Sequence, residues 1–158
     1  MTQGITATTY GPNLPIRRGD FILMLYRAFQ FSGGNANSPG FADVPAGAYY
    51  AQAVSAAKQM GIVNGDGVNF MPNNSITRQD AMVMVKNAMT AAGKFQGSTS
   101  TAILNNFPDG TAVSSYAREA VSALIQMGAV NGSNGMLNPR SAITRAEAAV
   151  ILHFVMTA

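Results

Sequence analysis

The sequence contains no cysteine, so disulfide bonds, thiolate catalysis and cysteine-ligated metals are excluded. Charged residues make up only 11% of its 158 residues, compared with roughly 25% in average soluble domains. The net charge of +3 reflects few acids rather than many bases, and no run of like charge occurs. Because nucleic-acid binding generally requires a basic stripe, we do not expect it.

Long apolar runs are also missing. The longest, residues 148–156, is interrupted by His153 and is much shorter than the ~18 residues that a membrane span requires, so no membrane insertion is expected. His153 is the only histidine, and the sequence offers it no partners for a metal site or a catalytic base. We therefore expect a structural or partly exposed His153, no metal and no cofactor.

Acidic residues are scarce, and each has a structural position available. Asp20, Asp80 and Glu147 have the spacing of helix caps, Asp43 and Asp109 precede helices, Asp66 lies in a turn and Glu119 lies on a helix. Asp66 belongs to an Asn-Gly-Asp-Gly sequence, but the regular ligand series of a calcium loop is missing. No carboxylate pair stands out as the acid and base of a glycosidase. The sequence therefore predicts a protein that is not an enzyme.

What the sequence does contain is an internal repeat. One block occurs three times, starting at Tyr10, Phe70 and Leu137, and each copy carries a proline, an isoleucine, an arginine and a carboxylate in register. A second block precedes only the later two copies. The chain thus contains two complete units and the back half of another. We place the partial unit at residues 1–34 and the complete units at residues 35–96 and 97–158.

Each complete unit is predicted to begin with a helix, over residues 49–60 and 116–127, because apolar residues recur there at helical spacing. Gly61 and Gly128 follow directly. Glycine in the left-handed conformation commonly ends a helix, so these two residues are predicted C-terminal caps.

Tight turns follow these glycines, at residues 64–67 and 131–135, where Asn and Gly accept positive φ. The tyrosines that open the two helices, Tyr49 and Tyr116, begin an apolar stripe. We therefore expect both rings to pack in the core with their hydroxyls at its rim; the alternative is that they stack on a sugar.

A second helix is predicted after each turn. Thr77 and Thr144 are followed three residues later by Asp80 and Glu147, which is the spacing of a capping box. In the first copy Arg17 replaces the threonine, so that box is incomplete. The second helices are apolar on nearly every side, and such helices are buried. The sequence predicts an all-α fold in which the three second helices form a central bundle and the first helices and turns pack outside as lobes.

Together these segments resemble the S-layer homology family. The Ile-Thr-Arg-Ala-Glu sequence at residues 143–147 matches the family's most characteristic segment letter for letter. Phe41, Asp43 and the Gly-Ile-Val-Asn-Gly sequence at residues 61–65 also follow the family pattern. The resemblance covers roughly residues 8 to 158. It departs from the family in the incomplete first copy and in the two tyrosines that open the lobes, where the family usually has tryptophan.

The resemblance implies a pseudo-threefold assembly of such modules around a central bundle, with glycan-binding grooves between neighbours. Family members anchor surface proteins to secondary cell-wall polymers, often through a pyruvylated sugar whose carboxylate is read by the motif arginine. The resemblance therefore implies an extracellular, non-catalytic protein of the bacterial cell wall that binds an anionic glycan. Carried over by position, that arginine is Arg78, Arg145 and Arg18. As further ligand-binding residues we predict Thr77, Thr144, Asn64, Gly65, Asp66, Asn131 and Gly132.

The residues themselves give a separate reason to suspect Arg78 and Arg145. Both fall in a first helical turn, where free amides and the helix dipole favour an anion, and a guanidinium would complete the seat. The alternative is an arginine paired with Asp43 or Asp109, or simply solvated. Arg18 stands beside a lobe that the first copy lacks, so the prediction rests mainly on Arg78 and Arg145.

A different function also fits the incomplete repeat. An exposed flank of the central bundle would be closed by another chain, either through self-association or by further domains of a parent protein. The chain would then be an interaction or assembly module.

Overall fold

The computed structural model describes residues 11–95 and 99–157. Five α-helices follow in chain order: α1 (Arg18–Ala28), α2 (Ala51–Gln59), α3 (Arg78–Ala91), α4 (Arg118–Met127) and α5 (Arg145–Thr157). Three short 3₁₀ helices, Thr101–Asn106, Gly110–Ala112 and Ser115–Ala117, precede α4. Within the described ranges the only β-pairing consists of isolated bridges. The predicted all-α class is confirmed.

Helices α1, α3 and α5 pack against one another at the centre, as the apolar run in each copy predicted. Their buried side chains include Phe21 and Leu25 on α1, Met82 and Val85 on α3, and Leu152 and Val155 on α5. Burial of each such side chain contributes about 1.5–3 kcal/mol relative to its exposure. This contact is therefore a major source of stability.

The outer helices cover only two of the three central ones. Helix α2 packs on α1 and α4 packs on α3, whereas neither of them packs along α5 in the described part of the chain, although the Phe154 ring lies near Gly128 just after α4. Val150 on α5 is 65% exposed, and His153 is exposed as well. The prediction that α5 is buried on all sides is therefore wrong, because the outer helix that would cover it has no counterpart among the described residues.

A ring of backbone hydrogen bonds joins the three copies. The N–H of Ile16 donates to the carbonyl of Ile143 (3.2 Å), Ile143 donates to Ile76 (3.0 Å), and Ile76 donates to Ile16 (3.0 Å). All three isoleucines are buried. Each copy thus gives one bond and receives one. Tyr10, at which the first copy starts, lies outside the described residues, and the pseudo-threefold arrangement of the whole molecule stays a prediction.

The first turn of each central helix is capped by the loop of another copy. The amides of Arg18 and Gly19 donate to Asn74 (2.9 Å) and Pro72 (2.9 Å), in the loop before α3. The same pattern recurs at the other two helices: Arg78 and Gln79 donate to Ser141 and Pro139, and Arg145 and Ala146 donate to Leu14 and Pro12. The copies are thereby interlocked at the helix starts.

Helices α2 and α4 end as their glycines predict. Gly61 and Gly128 have positive φ values of 74° and 85°. The next amides, those of Ile62 and Ala129, reach back to Ala57 (2.8 Å) and Leu124 (2.9 Å), which is the bonding of a Schellman motif. The chain reverses at these points and enters the turns.

Gly65 is the turn position where a side chain is least tolerated. Its φ is +56°, and an added Cβ would lie 2.2 Å from the carbonyl oxygen of Asn69. At Gly67 φ is +95° but nothing lies within 4 Å of an added Cβ. We expect Gly65→Ala to lower the free energy of unfolding by about 2–4 kcal/mol and Gly67→Ala by only about 1 kcal/mol. Urea denaturation of the two variants measures this, and equal losses would contradict the steric argument.

Candidate functional site

A groove of about 420 Å³ is formed where residues of three copies meet. Arg18 of the first copy lines it, together with the turn at residues 64–66 and with Asp80 and Val83 of α3 from the second copy. Tyr116, which precedes α4 in the third copy, also lines it. The groove therefore combines a guanidinium, a carboxylate, an Asn-Gly turn and an aromatic ring.

Arg18 is held in a fixed orientation at the groove. Its Nε donates to the carbonyl of Phe70 (2.9 Å), and its Nη1 donates to Oδ2 of Asp80 (3.4 Å). The guanidinium carbon also lies 4.9 Å from the centre of the Phe70 ring. Burial lowers the pKa of Arg18 and the nearby Asp80 opposes this, but a guanidinium stays protonated in proteins. Its other N–H donors have no hydrogen-bond partner in the described chain and are available to a ligand.

Asp80 and Tyr116 form the second part of the groove. The hydroxyl of Tyr116 donates to Oδ1 of Asp80 (2.6 Å). Burial and this bond to Asp80 raise the pKa of Tyr116, so the phenol keeps its proton at neutral pH. The Tyr116 residue is 62% exposed. The prediction that Tyr116 packs in the core is therefore wrong: the buried residue at this point is Ala117.

The turn at residues 64–66 contributes Asn64, Gly65 and Asp66 to the lining. Oδ1 of Asp66 accepts the amides of Val68 (2.9 Å) and Asn69 (2.6 Å), and these bonds hold the pKa of Asp66 below its usual range. Asp66 is therefore an anion that orders its own turn. No cluster of three or more His, Cys, Asp or Glu suited to a metal occurs within residues 11–95 and 99–157.

Arg78 occupies a more closed position. It is 8% exposed, its Nε donates to the carbonyl of Leu137 (2.9 Å), and its guanidinium pairs with Glu147. It does not line the 420 Å³ groove, nor do Asn131 and Gly132. In the described part of the chain no tyrosine hydroxyl reaches Glu147, so this position repeats the arginine and the acid of the groove without the aromatic wall.

A third position repeats the tyrosine–carboxylate pair of the groove. The hydroxyl of Tyr49 donates to the carboxylate of Asp20, and burial together with this bond raises the pKa of Tyr49 to about 12. The ring is exposed, because α2 begins at Ala51 and the neighbouring Tyr50 takes the buried place. The prediction of a core Tyr49 is therefore also wrong. Arg145, the arginine expected to matter with Arg78, is half-buried and lines no part of the 420 Å³ groove.

The anion-binding site expected at Arg78, made of unbonded amides at the start of α3, is not formed. The amides of Arg78 and Gln79 donate to backbone carbonyls, and the amide of Asp80 donates to Oγ1 of Thr77 (3.2 Å). The alternative partners, Asp43 and Asp109, accept backbone amides and act on Arg18 and Arg78 through their charge. The ion pairs themselves are formed with Asp80 and Glu147. A ligand must therefore meet the guanidinium itself.

The three predicted capping acids behave differently. Thr144 and Glu147 form both bonds of a capping box, with Glu147 N to Thr144 Oγ1 at 3.2 Å and Thr144 N to Glu147 Oε1 at 3.3 Å. Thr77 caps α3, but the carboxylate of Asp80 turns to Arg18 and Tyr116. Asp20 is not a cap, because its carboxylate binds Tyr49 and Arg17 provides no side-chain bond.

Sequence reasoning missed the residues that support Tyr116. Gln79 is 4% exposed and its amide bonds both Tyr116 and Ser114. A signal was present, since a large polar residue stands where the other copies have Gly19 and Ala146. Its partners lie 35 and 37 residues away, beyond the reach of any local pattern.

Comparison with known proteins identifies the repeat. The S-layer homology domain matches residues 40–82 and 106–149, which together make up more than half of the chain. The chain belongs to the S-layer homology family. Such domains anchor proteins at the cell surface, and the expected location at the bacterial cell wall is confirmed by the named surface-layer proteins among the relatives. The described residues include no helix with the length and hydropathy to span a membrane.

The similar proteins are much longer than this chain. An amylopullulanase of Thermoanaerobacterium thermosulfurigenes is 34% identical over 97% of the chain but only 8% of its own length. The exoglucanase XynX of Acetivibrio thermocellus is 31% identical over 97% of the chain and 14% of its own length. The surface-layer 125 kDa protein of Lysinibacillus sphaericus is 29% identical over 94% of the chain and 12% of its own length. This S-layer homology region thus corresponds to a small part of both enzymes and surface-layer proteins.

Proposed function

We propose that this S-layer homology region holds a protein on the cell wall by binding an anionic glycan in the Arg18 groove, without catalysing a reaction. One observation carries the proposal. Phe70 and Asp80 fix the guanidinium of Arg18 through Nε and Nη1, while the same group lines an open groove. A guanidinium held in this way is ready to form paired, charge-assisted hydrogen bonds with a carboxylate.

The rest of the lining suits a sugar ring. Tyr116 is largely exposed and fixed at its hydroxyl, so it presents an apolar face against which the C–H groups of a sugar can pack. Asn64 and Asn87 place amide groups along the same lining, and amides can bond sugar hydroxyls in either direction. The groove thus offers one anion-binding group with an aromatic and polar surround.

The charge of the lining favours one kind of anion. Among the described residues that line it, Arg18 is the only cation, while Asp66 and Asp80 carry negative charge. Arg18 offsets the charge of Asp80 but not that of Asp66, so a dense array of negative charge on the ligand would be repelled. We therefore propose a glycan in which each sugar bears at most one carboxylate, as a pyruvylated sugar does. Arg78, Arg145 and the turn at Asn131 and Gly132 would contribute less.

Sedimentation with purified sacculi tests the proposal. We expect the chain to sediment with sacculi that retain their secondary polymer and to stay in solution with peptidoglycan stripped of it. A soluble fragment of the polymer should release the bound chain, and the same fragment without its acidic groups should not. Release by both fragments alike would contradict anion recognition.

The uncovered face of α5 supports a second candidate. Val150 is 65% exposed there, and no described outer helix packs on α5. The chain would then act as an assembly module, completed by another chain. Dimers in solution, or sedimentation that persists on stripped peptidoglycan, would favour assembly over glycan binding.

A further inference from the structure

Gln79 is a buried polar residue in the first turn of α3. It is 4% exposed, yet its side-chain amide is well bonded. Oε1 accepts the backbone amide of Ser114 (2.9 Å), and Nε2 donates to Oγ of Ser114 (2.9 Å) and to Oη of Tyr116 (3.2 Å). The residue therefore ties α3 to the segment that carries the aromatic wall of the groove.

These bonds have a defined direction. A backbone N–H can only donate, so Oε1 must face the amide of Ser114 and Nε2 must face Tyr116. The hydroxyl of Tyr116 accepts from Nε2 and has one proton to give, which goes to Oδ1 of Asp80. The other oxygen of Asp80 receives the Nη1 of Arg18. Hydrogen bonds thus run in one direction from Ser114 through Gln79 and Tyr116 to Asp80, and Asp80 also accepts from the guanidinium in the groove.

The other two copies lack a glutamine at this position. Gly19 and Ala146 stand at the corresponding positions, and neither has a polar side chain. At Gly19 the space is taken by the ring of Tyr50, which would lie 3.2 Å from an added Cβ. Tyr49 consequently bonds Asp20 without support from a glutamine. Within the described residues these bonds occur at the acid of the groove that pairs with Arg18, which is Asp80.

We propose that Gln79 is a positioning residue for glycan binding, one that fixes Tyr116 and Asp80 and through them the orientation of Arg18. The inference rests on the proposed function, because it assigns Gln79 a role at that site. Gln79 does not line the groove and need not touch the ligand. Its removal leaves the hydroxyl of Tyr116 without one of its two partners and frees the exposed ring to turn away from Asp80.

Gln79→Ala and Gln79→Glu test this inference together. Alanine is the residue of the third copy at this position and is compatible with a helix. Glutamate keeps the shape and can still accept the amide of Ser114, but its second oxygen cannot donate to Tyr116. We expect either variant to bind polymer-bearing sacculi about tenfold more weakly than the wild type. Tyr49→Phe is the control, since it removes the unsupported tyrosine bond, and its binding should equal that of the wild type.

Ultraviolet titration of the tyrosines gives a readout that a general loss of stability would not produce. The bond from Gln79 lowers the pKa of Tyr116, so Gln79→Ala should move the ionisation of Tyr116 to higher pH, with Tyr116→Phe identifying its share of the signal. Unchanged binding with an unchanged titration would overturn the inference. If the wild type itself failed to bind, the proposed function would fall, while the titration would still decide whether Gln79 orders Tyr116.

Discussion

Arg18→Ala is expected to weaken binding to polymer-bearing sacculi about a hundredfold. The substitution removes the cation that would bond the glycan carboxylate. It also leaves the carboxylate of Asp80 without its ion pair in the groove, where it would repel an anion. Sedimentation isotherms at fixed ionic strength measure the effect. Arg18→Lys keeps the charge but loses the paired donors, so it should recover only part of the affinity.

Arg78→Ala is the matched control for Arg18→Ala. Both arginines donate from Nε to a backbone carbonyl of a buried residue and both pair with a carboxylate, so the two variants lose comparable internal bonds. We expect each to lower the free energy of unfolding by about 2–4 kcal/mol. Only Arg18→Ala should lose most of its binding, because Arg78 does not line the groove. If Arg78→Ala lost as much binding as Arg18→Ala, the assignment of one principal groove would be wrong.

Asp43→Ala is expected to lower the free energy of unfolding by about 3–4 kcal/mol. The carboxylate of Asp43 accepts the amides of Phe70 (2.8 Å) and Met71 (2.7 Å). Phe70 is fully buried, and Met71 has a positive φ of 61° that these bonds help to hold. The variant leaves charge-assisted bonds unmade and a buried amide without a partner. Urea denaturation measures the loss.

Two further variants sharpen this prediction. Asp109 makes the corresponding bonds to Leu137 (2.9 Å) and Asn138 (2.8 Å), so Asp109→Ala should cost a similar amount. Asp43→Asn keeps one acceptor oxygen and should cost about half as much as Asp43→Ala. A loss below about 1 kcal/mol for Asp43→Ala would mean that water replaces the carboxylate at Phe70 and Met71. The carbonyl of Phe70 also accepts a hydrogen bond from Nε of Arg18. By holding Phe70, Asp43 thus helps to position Arg18 at the groove.

The helices could be predicted from the sequence because their signals are local. The capping box of Thr144 and Glu147 is readable from a spacing of three residues, and the left-handed Gly61 and Gly128 from their place after an apolar stripe. The same local reasoning placed Tyr49 in the core, because an aromatic at the start of a stripe cannot be distinguished from its neighbour Tyr50 by periodicity. One residue of offset decides which ring is buried.

Grooves between neighbouring copies were expected, with Arg18, Asn64, Gly65 and Asp66 among the binding residues. That Tyr116 and Asp80 complete the lining could not be predicted, because the groove is assembled across copies. Arg18 works with the turn at residues 64–66 and with Tyr116, which are 46 or more residues later in the chain. Arg18 ranked below Arg78 and Arg145 as a binding residue, because it belongs to the partial copy and that copy has no Asn-Gly turn of its own. The structure instead pairs Arg18 and Arg78 each with the acid of the following copy, Asp80 and Glu147.

The ring of hydrogen bonds formed by Ile16, Ile76 and Ile143 includes a residue that lies outside the segments matched by the family. The two segments that match the family, residues 40–82 and 106–149, contain neither Ile16 nor Arg18. A polypeptide trimmed to those segments would lack the two hydrogen bonds that Ile16 makes in the ring. The first amides of α5 would also lack the carbonyls of Leu14 and Pro12 as acceptors. The two matched segments therefore omit residues of the first copy that complete the ring and accept the first amides of α5.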